Sequence, residues 1–222
     1  MTQHFKDISH DENCYDVTYE NAQARMRTLI LMDIANQTGG LVVGTGDLSE
    51  LALGWCTYGG DQISMYGVNC SVPKTLVRYL VGVEAKKIGG ESEKILQDIL
   101  GTEISPELLP PDEKGNISQK TEDLVGPYEL HDFYLYRILR YKDSPKKAYY
   151  LARYALSAKY SDETLKKWLK NFYKRFFSQQ FKRSCSPDGV KVGTVSLSPR
   201  GDFKMPSDAV ARVWLDELEE IE

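Results

Sequence analysis

Cysteine is scarce and scattered: four residues, at 14, 56, 70 and 185, in a chain of 222. No Cys-x-x-Cys occurs, and the spacing places none of His4, His10 or His131 as a zinc partner of any cysteine. So few thiols at this length exclude a disulfide scaffold. They read as reduced thiols of a cytosolic protein, each a small buried hydrophobe or a quiet surface group. A basic excess is missing too. Lys and Arg number 28 against 32 Asp and Glu, a formal net charge of −4, which excludes a nucleic-acid-binding tail. Long apolar runs are absent: Leu29 to Met32 ends at Asp33, far short of the ~20 residues a membrane-spanning helix needs. The opening Met-Thr-Gln-His-Phe-Lys-Asp lacks the apolar core of a secretory signal. No internal repeat and no Ser/His/Asp arrangement can be traced. What is present suits a globular domain: 41% apolar and 27% charged residues, with enough chain to bury a core.

Residues 1–19 are polar and read as loop or as the end of an element cut away. Ala22, Met26, Leu29, Ile30 and Ala35 recur at helical spacing until Gly39-Gly40 stops them. Leu41-Val-Val-Gly-Thr45 is a short β-branched run without alternation, which predicts a strand buried on both faces of a parallel sheet. Asp47 as N-cap and Glu50 as its partner then open another helix. Residues 62–70 fit no clear period and are read as extended, and Pro73 suits the first position of a helix through Glu84. A short helix fits about 91–100, and 105–120 reads as exposed loop. From Tyr128 the chain is mainly helical, interrupted at Asp143-Ser-Pro and Ser161-Asp-Glu. A strand is expected around Val190–Leu197 and a last helix over Asp208–Leu218. Helix, strand, turn, helix is an α/β pattern. Yet one parallel strand cannot stand alone, and few other strands are offered. The sheet is therefore expected to be completed by sequence not present here, or by a partner chain.

The segment Val43-Gly-Thr-Gly-Asp-Leu-Ser-Glu50 puts a hydroxyl, Thr45, and a carboxylate, Glu50, at the carboxyl end of a strand and the start of a helix. Ligands of open α/β sheets bind in that crevice, and a helix start favours phosphate. A capped turn would explain the same residues. Trp55, Cys56, Thr57 and Tyr58 combine rings with hydroxyls, as a nucleoside or pyridine site would, or as a core Trp beside a polar turn would. Asn21 and Arg25, at i and i+4, share one helix face and suit a ribose or phosphate, or a plain surface pair. Lys74 could reach a phosphate, although the local pattern alone favours a solvated lysine. Lys182-Arg183 forms a basic knot among aromatics, or simply complements a helix C-terminus.

Taken together, Glu20–Arg27, Gly39–Asp61, Val72–Leu76, Gln119–Phe133, Arg175–Lys182 and Leu197–Asp208 closely resemble NAD+ synthetases of the long, glutamine-dependent type. The resemblance runs from about residue 4 to the end. It implies an α/β fold: part of an adenine nucleotide alpha hydrolase-like (Rossmann-like) parallel-sheet domain with an extensive helical C-terminal portion. Residues 1–222 would be the C-terminal part of the synthetase domain, with 1–90 the α/β nucleotide-site portion and 91–222 mainly helical. The implied reaction is a carbon–nitrogen ligation in NAD+ biosynthesis. ATP, with Mg2+, adenylates deamido-NAD+, and ammonia from a separate glutaminase domain then displaces AMP. By the same resemblance Asn21, Arg25, Glu50, Trp55, Cys56, Thr57, Tyr58 and Lys182 would contact deamido-NAD+. Thr45, Lys74 and Ser105 would contact ATP, and Glu50 is also a candidate Mg2+ ligand.

Two family parts are missing from this sequence: the Ser-Gly-Gly-x-Asp-Ser pyrophosphate loop and the glutaminase domain, whose nucleophile context none of the four cysteines shares. The chain alone is expected to lack synthetase activity. Its expected partners are those missing portions and further copies of itself, with no nucleic acid and no membrane. A non-catalytic nucleotide-binding module and an oligomerising domain built on Tyr128–Phe181 are the alternatives.

Overall fold

A computed structural model describes residues 1–102, 104 and 121–221. Ser105 and the loop expected over 105–120 lie outside the described residues. The chain starts with α1 (Thr2–Asp7), not loop, because Phe5 buries itself against Tyr19, with ring centroids 5.5 Å apart. Asp16 caps α2 (Val17–Thr38), its Oδ1 accepting from the backbone N–H groups of Thr18 and Tyr19. Gly39 ends α2 in the left-handed region at φ 66°. Only Ala22, Ala24 and Ala35 of α2 are buried. Leu29 and Ile30, expected on the packed face, lie at the surface.

The sheet is small. β1 (Val43–Gly44) pairs in parallel with β2 (Tyr66–Gly67), Val43 opposite Tyr66 and Gly44 opposite Gly67. The expectation of a strand buried on both faces fails: Leu41 is 60% exposed and Val43 49%, because nothing among the described residues covers them. The two-stranded sheet agrees with the inferred need for further strands. No ladder forms over 190–197 either. Gly189 makes one bridge to Gly67, and the Ser71 hydroxyl then donates to Val190 O and accepts from Val192 N. Side-chain partners thus replace a neighbouring strand.

Between the strands lies α3 (Leu48–Leu53), and after β2 comes α4 (Lys74–Ile88), with Pro73 at its N-cap rather than at its first turn. Next come α5 (Gly90–Gly101), α6 (Thr121–Val125), α7 (Tyr128–Tyr141), α8 (Pro145–Leu156), α9 (Asp162–Ser178), α10 (Gln180–Ser184) and α11 (Arg212–Glu219), which starts four residues later than expected. Ser144 and Ser161 cap α8 and α9 at the two expected breaks. The core is built on α9. Leu165, Leu169, Phe172, Tyr173 and Phe176 recur at helical spacing and are all buried. They meet Leu130 and Tyr134 of α7, Ala148 and Ala152 of α8, and Leu48, Ala52 and Leu53 of α3. Each large side chain buried there contributes roughly 1.5–3 kcal/mol. That packing fixes α3, which carries several of the candidate site residues. No described helix is long and apolar enough to cross a membrane.

Candidate functional site

The start of α3 forms the expected capping box. Asp47 accepts from Glu50 N at 2.9 Å, and Glu50 Oε2 accepts from Asp47 N at 3.1 Å. Lys74 closes the cluster, its Nζ standing 2.7 Å from Asp47 Oδ2 and 2.6 Å from Glu50 Oε1. It also lies 5.4 Å from the centre of the Tyr128 ring. Lys74 is therefore not the solvated lysine its local sequence suggests, and its side chain is only 18% exposed. Burial alone would lower its pKa, but the Glu50 and Asp47 carboxylates outweigh burial and raise it. Burial raises the Glu50 pKa, Asp47 adds to the rise, and Lys74 opposes it.

A second polar cluster adjoins the first. Asp132 of α7 accepts from the Ser49 hydroxyl, from Thr75 N at 3.0 Å and from Thr75 Oγ1 at 2.7 Å. The Ser49 oxygen in turn accepts from Lys74 N at 2.8 Å. A carboxylate thus stands at the positive end of α4 and ties together three helices. Burial raises the pKa of Asp132. Ser49, Thr75 and Asp132 were not singled out from the sequence, although all three lie inside the motifs that carry the resemblance.

Past α3, residues 55–58 form a strap tied from both sides. On one side is α2: Thr57 Oγ1 donates to Asn21 Oδ1 at 2.8 Å, and Arg25 Nε donates to Tyr58 O at 3.1 Å. On the other side are three cations. Arg175 Nε donates to Leu53 O at 2.9 Å and its guanidinium stands 5.2 Å from the Trp55 ring centre. Lys182 Nζ donates to Gly54 O at 2.8 Å and Cys56 O at 2.7 Å. Arg183 Nη1 donates to Leu51 O at 3.1 Å and Ala52 O at 2.9 Å. The Leu51, Ala52 and Leu53 carbonyls are among those a helix end leaves without intrahelical partners, Gly54 is the cap of α3, and Cys56 lies past it. Lys182 and Arg183 thus serve the end of α3 and the chain just past it, rather than only the C-terminus of the helix they stand in. Arg175, unremarked in the sequence as a site residue, does the same. Burial lowers the pKa of Lys182 and pushes the Cys56 thiol up to about 12, so Cys56 is no nucleophile. The Tyr58 ring packs on Phe181, 5.4 Å between centroids.

Asn21, Arg25, Trp55, Cys56, Thr57, Tyr58 and Lys182 therefore meet at one strap, and Glu50 meets Lys74. Thr45 is exposed just past β1, and a Cβ added to neighbouring Gly46 would lie 3.7 Å from Glu50 Oε2. Asp47 and Glu50 supply hard oxygens of the kind Mg2+ takes, but the Lys74 ammonium already stands between them. Two surface hollows lie elsewhere, one beside Lys146, Tyr150 and Glu217, the other beside Ser184, Lys204 and Met205.

A family model described as NAD synthase matches residues 1–178. The glutamine-dependent NAD(+) synthetase of Mycobacterium leprae (strain TN) is 47% identical over 233 aligned positions, covering 96% of this chain and 34% of that protein. That of Mycobacterium tuberculosis (strain ATCC 25618 / H37Rv) is 47% identical, over 94% of this chain and 33% of its own. The crystal structure of a glutamine-dependent NAD(+) synthetase from Cytophaga hutchinsonii superposes with a TM-score of 0.72 at 20% identity, covering 99% of this chain and 33% of that one. That likeness establishes the shared fold. The chain spans about a third of the length of these relatives.

Proposed function

The chain belongs to the NAD synthase family, and from that premise we propose that it forms the deamido-NAD+-gripping part of a glutamine-dependent ligase pocket. The observation that carries this reading is the strap. Asn21, Trp55–Tyr58 and Lys182 come from three separate segments, and hydrogen bonds hold them together. In the whole enzyme the nicotinate carboxylate, a poor electrophile until its oxygen becomes part of a leaving group, attacks the α-phosphorus of ATP, and pyrophosphate leaves as the acyl adenylate forms. Ammonia released from glutamine then attacks the carbonyl carbon, and AMP leaves with the bonding electrons. This chain's residues bind and orient. Trp55 and Tyr58 offer ring faces, Asn21 and Thr57 fix hydroxyls, and Arg25 supplies positive charge. Thr45, Lys74 and Ser105 are assigned to ATP. A resident Mg2+ does not fit at Glu50 while Lys74 holds both carboxylates, so Mg2+ enters only with the ATP phosphates.

Residues 1–90 and 91–222 act together in this reading, because α3 packs on α7 and α9. The chain works in the cytosol, where its four free thiols stay reduced. It assembles with further copies and with the portions bearing the pyrophosphate loop and the glutaminase. Without those portions it binds but does not turn over. The test is calorimetric titration of deamido-NAD+ into the purified chain, with and without Mg-ATP. Saturable binding that weakens at least tenfold in Asn21→Ala supports the reading. A folded chain that binds nothing, or an Asn21→Ala chain that binds as well as its parent, refutes it.

A further inference from the structure

The turn between α1 and α2 brings together three side chains that the site above does not use. His10, Cys14 and Asp16 place their ligand atoms within 4.8 Å of one another. The sequence spacing gave no reason to pair His10 with a cysteine; the fold of the turn does. His10 Nε2 already stands 3.0 Å from Asp16 Oδ1. We propose that His10, Cys14 and Asp16 form a site for one divalent transition-metal ion of the zinc type, with water as fourth ligand.

Each ligand is positioned without the ion. His10 N donates to Phe5 O at 2.9 Å, and the His10 ring packs on buried Phe5 with centroids 5.2 Å apart. Asp16 is anchored as the cap of α2, with all three of its hydrogen bonds on Oδ1, so Oδ2 is the oxygen not engaged in capping. Cys14 N donates to Asp11 O at 3.0 Å, while Asn13 N binds Asp11 Oδ1 at 2.9 Å, which stiffens the turn behind the thiol. His10 Nδ1 is buried and has no hydrogen-bond partner. The Nε2 edge is therefore the one that meets a neighbour.

The donor set selects the ion. Nitrogen, sulfur and oxygen together suit zinc or cobalt, whereas Mg2+ and Ca2+ prefer oxygen alone. Bonds of about 2.0–2.3 Å in a tetrahedron set ligand atoms about 3.3–3.7 Å apart, so atoms within 4.8 Å of one another need to close by at most about 1.5 Å. Neutral imidazole, thiolate and carboxylate sum to −2, which matches the ion. On binding, the Cys14 proton leaves to solvent and the His10 ring proton resides on Nδ1. The ion would tie α1 to the first turn of α2, the helix that carries Asn21 and Arg25.

The test is titration of Co2+ into the full chain after chelator treatment, followed by competition with Zn2+. One cobalt per chain is expected, with a thiolate-to-metal charge-transfer band and tetrahedral d–d absorption that Zn2+ abolishes. Cys14→Ser should lose the charge-transfer band, and His10→Ala should weaken Co2+ binding at least tenfold. Cys56→Ser, Cys70→Ser and Cys185→Ser should each keep the band. Zn2+ should raise the melting temperature of the parent chain and leave that of Cys14→Ser unmoved. Absence of the band, or its survival in Cys14→Ser, overturns the proposal.

Discussion

Replacing Arg183 with Met removes one buried cation and no volume of consequence. Arg183 is 1% exposed, and among the described residues no carboxylate is its partner. Its guanidinium donates to Leu51 O, Ala52 O, Phe176 O and Gln180 Oε1. The negative ends of α3 and α9 are its counter-charge. Burial draws its pKa down to about 10, so it remains charged at neutral pH. A hydrogen bond from a charged donor contributes about 1.5–3 kcal/mol, so four of them give about 6–12 kcal/mol gross. Met avoids the several kcal/mol of desolvation that the guanidinium suffers, which leaves a net loss of about 3 kcal/mol. For a chain of this size that is about 6–12 °C in Tm. Urea titration is the assay: the midpoint should fall with an unchanged slope. Arg183→Lys should recover only part of the loss, since one ammonium cannot reach all four acceptors. A loss below about 1 kcal/mol for Arg183→Met would falsify the account of α3 as a helix end satisfied by this cation.

Three further outcomes are expected. Burial holds His131 at a pKa of about 4, against ~6.5 when unfolded. The unfolded chain therefore takes up the proton first, and stability, fully present above pH 6.5, falls by about 3 kcal/mol as pH drops toward 4. Urea midpoints at pH 5 and 7 should show a gap that shrinks in His131→Gln. Lys74→Met leaves the Asp47 and Glu50 carboxylates without their ammonium, at about 3–5 kcal/mol. Because the folded pKa of Glu50 is already raised, its proton is held more tightly when folded, so this loss should grow from pH 5 to pH 8. An equal loss at both pH values speaks against the cluster. Gly54 sits at φ 59°, and an added Cβ would come within 2.2 Å of Gln179 Cβ. Gly54→Ala should therefore lower stability by at least about 2 kcal/mol in the same assay, and a neutral result would mean the strap is loose there.

Legibility in the sequence tracks distance along the chain. The capping box of Asp47 and Glu50, the Ser161 cap and the stop at Gly39 are local, and each was readable. The buried stripe of α9 went unremarked although its spacing repeats; only the helix and its start at Ser161 were read. Lys74 was misread because its carboxylate partner Glu50 lies 24 residues upstream. The His10–Cys14–Asp16 turn went unpaired because a bend, not a helix or strand period, brings the three together. Leu41 and Val43 looked buried because a β-branched run reports what a strand can bury, not whether anything covers it. The resemblance named the residues that the structure brings together at the strap. It did not disclose that Lys182 and Arg183 serve carbonyl oxygens.

The strap also sets an order of events in synthesis. Its tethers to α9 and α10 join residues 122 to 132 positions apart. A ribosome adding about 5–20 residues per second exposes α3 many seconds before Arg175, Lys182 and Arg183 exist. Until then the last carbonyls of α3 face water, and Trp55 lacks the guanidinium above it. Contacts of such sequence separation are among the slowest to form, since loop closure precedes any reward. The strap is thus among the last parts of the molecule to become native. It is also the part most exposed to any delay in the C-terminal helices.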